Sequence, residues 1–187
     1  IRYFSRMYRV IAIDTRGHGA SPRGTAPFSI RQFAEDLLSF MDTHQLEQAD
    51  ILGFSDGGNI ALTFALHYPE RVDRLILNGA NLDSSGVKSS VQVPIILGYH
   101  MASLFSRVSV RARKNAELLR LMVEEPHIQL EELRKLSHRT LVIAGTRDMI
   151  REAHPRQMVE FLPPGELEIL HGDHFLAKKS SEAFNRR

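Results

Sequence analysis

The segment Gly53-Phe54-Ser55-Asp56-Gly57-Gly58 sets a serine between a short apolar run, Ala49 to Leu52, and an apolar helix-like stretch, Asn59 to Leu66. A strand, tight turn and helix of this kind hold the apical residue in a strained backbone conformation and push its hydroxyl into the open. Glycines on either side let strand and helix approach without Cβ clashes. The N–H of Asp56 then points at the same spot from the first helical turn, where unpaired donors and the helix dipole favour a developing negative charge. A serine so placed needs a base. Asp148 comes just past a buried-strand pattern, Thr140 to Gly145, and His174 just past another, Leu167 to Leu170. Ser55, Asp148 and His174 therefore run in the order nucleophile, acid, histidine, each beyond the end of a strand. A histidine oriented by a carboxylate can take the serine proton during attack on a carbonyl and return it to the leaving group.

Ordinary explanations compete with this reading. A glycine-rich turn before a helix also binds phosphate, yet the spacing G-x-x-x-x-G-K-[ST] is absent. Asp148 and His174 could cap helices. Of the nine histidines, His67 ends a helix, His154 precedes a proline, and His44, His127 and His138 sit in polar surroundings. No pair shows H-E-x-x-H spacing, so neither a metal site nor any other cofactor is expected. The chain contains no cysteine, which removes disulfides, thiolate metal sites and a cysteine nucleophile. Its net charge of +2 comes from scattered residues, so nucleic acid is not an expected partner. No apolar run approaches the roughly 20 residues of a membrane span, and no membrane partner is expected. The expected partner is a small-molecule ester, and the expected location cytoplasmic, with any leader ahead of Ile1 outside the sequence.

The elements that must position these residues alternate strand and helix, the pattern of a mostly parallel sheet. Val10 to Ile13 reads as a strand. Ser29 with Gln32 has capping-box spacing, and Phe28 with Phe33 can staple the start of a helix striped by Ile30, Phe33, Leu37, Phe40 and Met41. The helix after Ser55 should stop near Tyr68-Pro69, and Val72 to Leu77 is the next strand. Leu82 to Lys88 is loop-like. Pro94 to Phe105, Arg111 to Val123 and Ile128 to Leu136 then read as helices.

Taken with Asp14-Thr15-Arg16-Gly17-His18-Gly19-Ala20-Ser21, which is similar to a D-x-R-G-x-G-x-S loop, these motifs make the chain resemble the α/β-hydrolase fold family from about Tyr8 onward. Arg16 and His18 are expected to brace the Asp14 loop rather than react. The resemblance implies an α/β-hydrolase fold, a mostly parallel sheet flanked by helices, with a small helical cap inserted after the sixth strand. Hydrolase core is then expected over 1–81 and 138–187, and the cap over 82–137. Val10 to Ile13 corresponds to the family's fourth strand. The first three strands and the His-Gly loop carrying a second oxyanion donor do not precede it, so the sequence is expected to be part of a longer protein, and this chain alone catalytically impaired.

The resemblance also implies roles: Ser55, Asp148 and His174 as a catalytic triad, and the backbone N–H of Asp56 as oxyanion donor. Asp56, Phe54, Asn81, Tyr99, Met149 and Phe175 would line the substrate site, with side chains from Ile95 to Phe105 facing it. The short insertion suggests a small acyl or alcohol part. The serine in the elbow argues against the carboxylate-nucleophile chemistry of dehalogenases and epoxide hydrolases. The expected function is cleavage of small carboxylic esters through an acyl-enzyme. Asp56 beside the serine, with Gly79-Ala80-Asn81 after the next strand, is similar to hydrolases of amino-acid esters, where that acid meets the α-amino group. It could equally complement the helix N-terminus. Perhydrolysis, thioester or carbon–carbon bond hydrolysis, and ligand binding without turnover, remain alternatives.

Overall fold

The computed structural model describes residues 1–187. Its centre is a parallel sheet of four strands in the order β1 (Ala49–Phe54), β2 (Val72–Asn78), β3 (Arg139–Arg147), β4 (Gly165–Asp173). α1 (Ile30–Thr43) precedes the sheet; parallel neighbours require long crossovers, and the chain supplies them as α2 (Asp56–His67), the pair α3 (Ser89–Phe105) and α4 (Val110–Glu124), then α5 (Ala153–Phe161). The short helices α6 (Leu176–Lys179) and α7 (Ser181–Asn185) close the chain.

Strand alternation sends side chains to two faces. Leu75 and Leu77 of β2, Val142 of β3 and Leu167 of β4 join a large core with α1, α2 and α5, in which Phe64, Leu62, Met41 and Met158 are fully buried. Ile76, Ile143 and Leu170 point to the opposite face and pack on Leu176 of α6 and Phe184 of α7. α1 begins as its sequence dictates: the Ser29 hydroxyl accepts the Gln32 N–H at 3.2 Å, and the rings of Phe28 and Phe33 meet edge to face at 4.9 Å. Only half of the capping box forms, because the Gln32 amide turns to Asp36 instead.

Two expected elements differ. Val10 to Ile13 is no strand: it runs exposed and pairs with nothing, and the edge of β1 that does not face β2 stays unpaired. Ile128 to Leu136 is not an α-helix but a 3₁₀ segment, Leu130–Lys135. Its first turn is fixed by a capping box in which the Glu132 carboxylate accepts the Gln129 N–H. This tight winding suits a short link that must bury Ile128, Leu133 and Leu136 in the core before β3 begins.

The stretch after β2 is tied down by a histidine. Buried His154 accepts the Leu82 N–H on Nε2 at 2.9 Å, and Gly86 lies so close that a Cβ there would fall 2.8 Å from the ring. Burial pushes the His154 pKa down, with nearby Asp83 pulling the other way. The imidazole is thus held neutral as an acceptor. A histidine whose folded pKa is depressed costs nothing above its unfolded value of about 6.5, and stability is lost as pH falls through that value because the unfolded chain takes the proton more readily. Lowering the pH from about 7.5 to about 5.5 should therefore depress the thermal midpoint. His154→Gln, which keeps an acceptor but does not titrate, should show a shallower decline; equal slopes in the two proteins would assign the acid sensitivity to another group.

Candidate active site

β1 ends at Phe54 and the chain turns into α2 through a single residue, Ser55, at φ 55° and ψ −122°. A non-glycine residue there stores about 1–3 kcal/mol of strain, so its surroundings must hold it. The Ser55 N–H donates to the Asn78 carbonyl at the end of β2, 2.8 Å away. The Ser55 carbonyl accepts from the N–H groups of Gly58 at 2.8 Å and Asn59 at 3.1 Å. The turn is so tight that a Cβ on Gly53 would sit 2.2 Å from the Gly57 carbonyl oxygen, whereas one on Gly57 would meet nothing within 4 Å. Steric relief therefore comes from Gly53 and not from both flanking positions.

β3 and β4 deliver the other two side chains. Asp148 follows β3, and its Oδ1 lies 2.7 Å from His174 Nδ1. His174 follows β4, and its Nε2 lies 2.9 Å from Ser55 Oγ. Both Asp148 and His174 are buried. Since a carboxylate only accepts, Nδ1 carries the proton and Nε2 is left to accept the serine O–H. Burial pushes the Asp148 carboxyl up, but the hydrogen bond and charge of His174, with the N–H groups of Ile150 and Gly145 at 3.1 and 3.2 Å, outweigh it and leave the carboxyl below its usual range. The Lys88 ammonium donates to the Asp148 backbone carbonyl at 2.6 Å and ties the acid loop to the start of α3. Beneath the imidazole, Gly79 at φ +67° leaves room that a Cβ, 2.6 Å from His174 Cε1, would fill.

The Asp56 N–H, at the first position of α2, donates to no group within the protein. The Asp56 side chain keeps contact with solvent, yet protein crowds it closely enough to push its carboxyl above the ordinary range, with the charges of His18 and His174 pulling back. A narrow cleft at this point is lined by Ser55, Asp56, Asn81, Met149, Ile150 and His174, and on its far side by Val87, Gln92, Met122 and Glu125.

Of the residues expected to line the substrate site, Asp56, Asn81 and Met149 do so. Asn81 is already engaged, bonded to Asn59 and to the Asp83 carbonyl. Phe54 and Phe175 flank His174 instead, with ring centroids 4.9 and 5.7 Å from the imidazole. Tyr99 does not reach the cleft: its hydroxyl donates to the Glu124 carboxylate of α4. Ile95 to Phe105 likewise contributes nothing to the lining, because α3 turns its N-terminal end inward, presenting Gln92. The Arg16 guanidinium binds Asp36 on α1, and the Asp14 loop is braced by its own aspartate, which accepts the Ala20 N–H at 2.9 Å.

Sequence reasoning missed Gln92, Glu125 and the placement of His18 near Asp56. Gln92 donates to the Met122 carbonyl while its Oε1 stays buried without a partner. Glu125 accepts the Ile30 N–H at the start of α1, 2.6 Å away. No local pattern marks these residues, since long-range packing alone brings them to the serine.

A profile of the alpha/beta hydrolase fold family matches residues 1–100. The chain is 27% identical to 3-oxoadipate enol-lactonase 2 of Acinetobacter baylyi over 99% of its own length and 79% of that protein's. It is 30% identical to the 2-hydroxymuconate semialdehyde hydrolase of Pseudomonas putida over 81% of its length and 50% of that protein's. A meta-cleavage product hydrolase of Pseudomonas fluorescens superposes with a TM-score of 0.77 at 25% identity, over 99% of this chain and 79% of that one.

The contrast at the elbow is open to a direct check. Gly53→Ala should displace the turn and either prevent folding or abolish any reaction that depends on Ser55. Gly57→Ala, set in open space within α2, should leave the thermal midpoint unchanged or raise it by up to about 1 kcal/mol equivalent, the helix-propensity difference. Equal damage from the two substitutions would refute the assignment of the crowding to Gly53.

Proposed function

The chain belongs to the α/β-hydrolase fold family and is a hydrolase, and we propose that it cleaves small carboxylic esters, lactones included, through an acyl-enzyme on Ser55. The observation that carries this reading is the continuous relay from Asp148 through His174 to Ser55 Oγ, with steps of 2.7 and 2.9 Å, at a residue whose backbone is held at φ 55°.

In this reading Ser55 Oγ attacks the carbonyl carbon while His174 Nε2 takes its proton, and Asp148 stabilises the imidazolium and fixes its orientation. The negative charge on the carbonyl oxygen is met by the Asp56 N–H at the start of α2. Collapse of the tetrahedral species breaks the bond to the alkoxy oxygen, which leaves with the proton from His174. Water then gives its proton to His174 and attacks the acyl carbon, and the second collapse returns the proton to Ser55 and frees the acid. The narrow cleft between Met122 and Met149 supports a small substrate, and α3 and α4, which supply its far wall through Gln92 and Met122, act as a small cap.

A second reading, carbon–carbon bond hydrolysis, is favoured by the likeness to the 2-hydroxymuconate semialdehyde and meta-cleavage product hydrolases. The same relay serves it, with a carbanion in place of the alkoxide as leaving group. Within the ester reading, the carboxylate of Asp56 and the unpaired Gln92 Oε1 in the cleft support an acyl part that brings hydrogen-bond donors, an amino-acid ester among them.

In a protein that includes the strands expected ahead of Val10, Ser55→Ala should lower turnover of p-nitrophenyl acetate by at least about 1,000-fold and Asp148→Asn by up to about 10,000-fold, with little change in KM. Unchanged turnover in Ser55→Ala would remove Ser55 as nucleophile, and absence of turnover across esters, lactones and vinylogous ketones in a longer protein that supplies the strands expected ahead of Val10 would favour a binding protein. Asp56→Asn should lower kcat/KM for an amino-acid ester about 10- to 150-fold more than for the same ester without the amine, the value of a charge-assisted hydrogen bond. Equal losses would confine Asp56 to the helix N-terminus.

A further inference from the structure

The α3–α4 hairpin ends in a tip that is apolar, cationic and uncovered. On α3, Leu97, Met101, Leu104 and Phe105 recur at helical spacing on the side turned from α4, and Val108 and Val110 continue the surface through the turn. Leu104 is 71% and Val108 83% exposed, values that solvent-facing helices seldom give to a run of large apolar side chains. Arg107, Arg111, Arg113 and Lys114 surround them, all exposed. None has an ion-pair partner: the acids of α4 are engaged elsewhere, Glu117 with Arg23 and Glu124 with Arg120. From residue 84 to residue 116 the sequence holds five basic residues, including Lys88, and no Asp or Glu. The whole chain carries only +2, so everything outside that stretch is net acidic. The even overall balance conceals a local asymmetry that the hairpin concentrates at one end.

We infer that this tip docks on the surface of an anionic lipid bilayer. The chemistry on the page selects that partner. Apolar side chains on a convex tip, ringed by arginine and lysine, suit a fluid interface that they enter to a shallow depth while the cations meet lipid phosphates. A second copy of the chain would bring the same four cations face to face, which costs free energy at an isologous contact. No helix is long and apolar enough to cross a membrane, so the contact is interfacial. Gln92, on the cleft, and Phe105, at the tip, are separated by about 20 Å along α3. Docking therefore leaves the cleft clear of the lipid while holding it close to apolar esters partitioned there.

The test is flotation of the purified full chain with vesicles of phosphatidylcholine alone or mixed with phosphatidylglycerol. Binding is expected only to the anionic vesicles, and it should weaken as ionic strength rises. Each basic residue near such a surface contributes about fivefold, so Arg107→Glu with Arg111→Glu should weaken binding by at least about 25-fold. Leu104→Ser with Val108→Ser should weaken it at unchanged charge, and circular dichroism should show all variants folded. Equal binding to neutral vesicles, or undiminished binding of the charge-reversed variant, would overturn the inference and move the contact to another apolar surface. So would sedimentation showing a dimer that Leu104→Glu dissolves, since the face would then belong to a second copy. Capture of a polyanionic protein in preference to the vesicles would likewise overturn it.

Discussion

The meeting of Ser55 with His174 and Asp148 depends on one backbone conformation that its residue would not choose. Ser55 is held at positive φ between β1 and α2, and the restraints come from three directions: the Asn78 carbonyl of β2 behind it, the first turn of α2 ahead, and the absent side chain of Gly53 beneath. Each restraint is inexpensive by itself, being a sheet-like hydrogen bond, a helix start and a glycine. Together they put the hydroxyl beyond the sheet edge and leave the Asp56 N–H unspent. Strain of this kind persists only where the surroundings over-determine it, and here the sheet and the large core behind α2 do so.

The electrostatics follow from the same placement. Asp148 is buried with His174 against it and two backbone N–H groups on its oxygens, so its charge is compensated locally and the carboxyl stays ionised. Asp56 is the opposite case, a carboxylate crowded by protein without a hydrogen-bonded cation and pushed toward its neutral form. Asp148 thus lies behind His174, hydrogen-bonded to its Nδ1, whereas Asp56 lines the cleft beside Ser55.

Much of this was legible in the sequence because it is locally encoded. Strands announce themselves as apolar runs, and the serine, aspartate and histidine each follow such a run within a few residues, so their convergence needed only a parallel sheet. The turn at Ser55 was legible for the same reason, although the sequence could not say that Gly53 rather than Gly57 bears the crowding, a fact about the distance between two backbones. Val10 to Ile13 has the composition of a strand, but pairing is a property of neighbours and not of composition. Ile128 to Leu136 has helical spacing but is short enough for packing to choose a tighter winding. Gln92 and Glu125 carried no signal because their positions in the cleft are set by how α3 and α4 pack, and that packing also turned Tyr99 to Glu124 of α4.

β2 contributes no side chain to the cleft, yet it stands between the strand that leads into Ser55 and the two strands that lead to Asp148 and His174. Phe54 is in register with Asn78, and Asn78 with Ile143, before β3 passes the alignment on to β4. It acts as a spacer whose width and twist fix the gap between Ser55 and His174, and a hydrogen bond across that gap needs its partners within roughly 3.2 Å. The strand without chemistry is thus the part in which a small misfit would be felt first as lost rate and only later as lost stability.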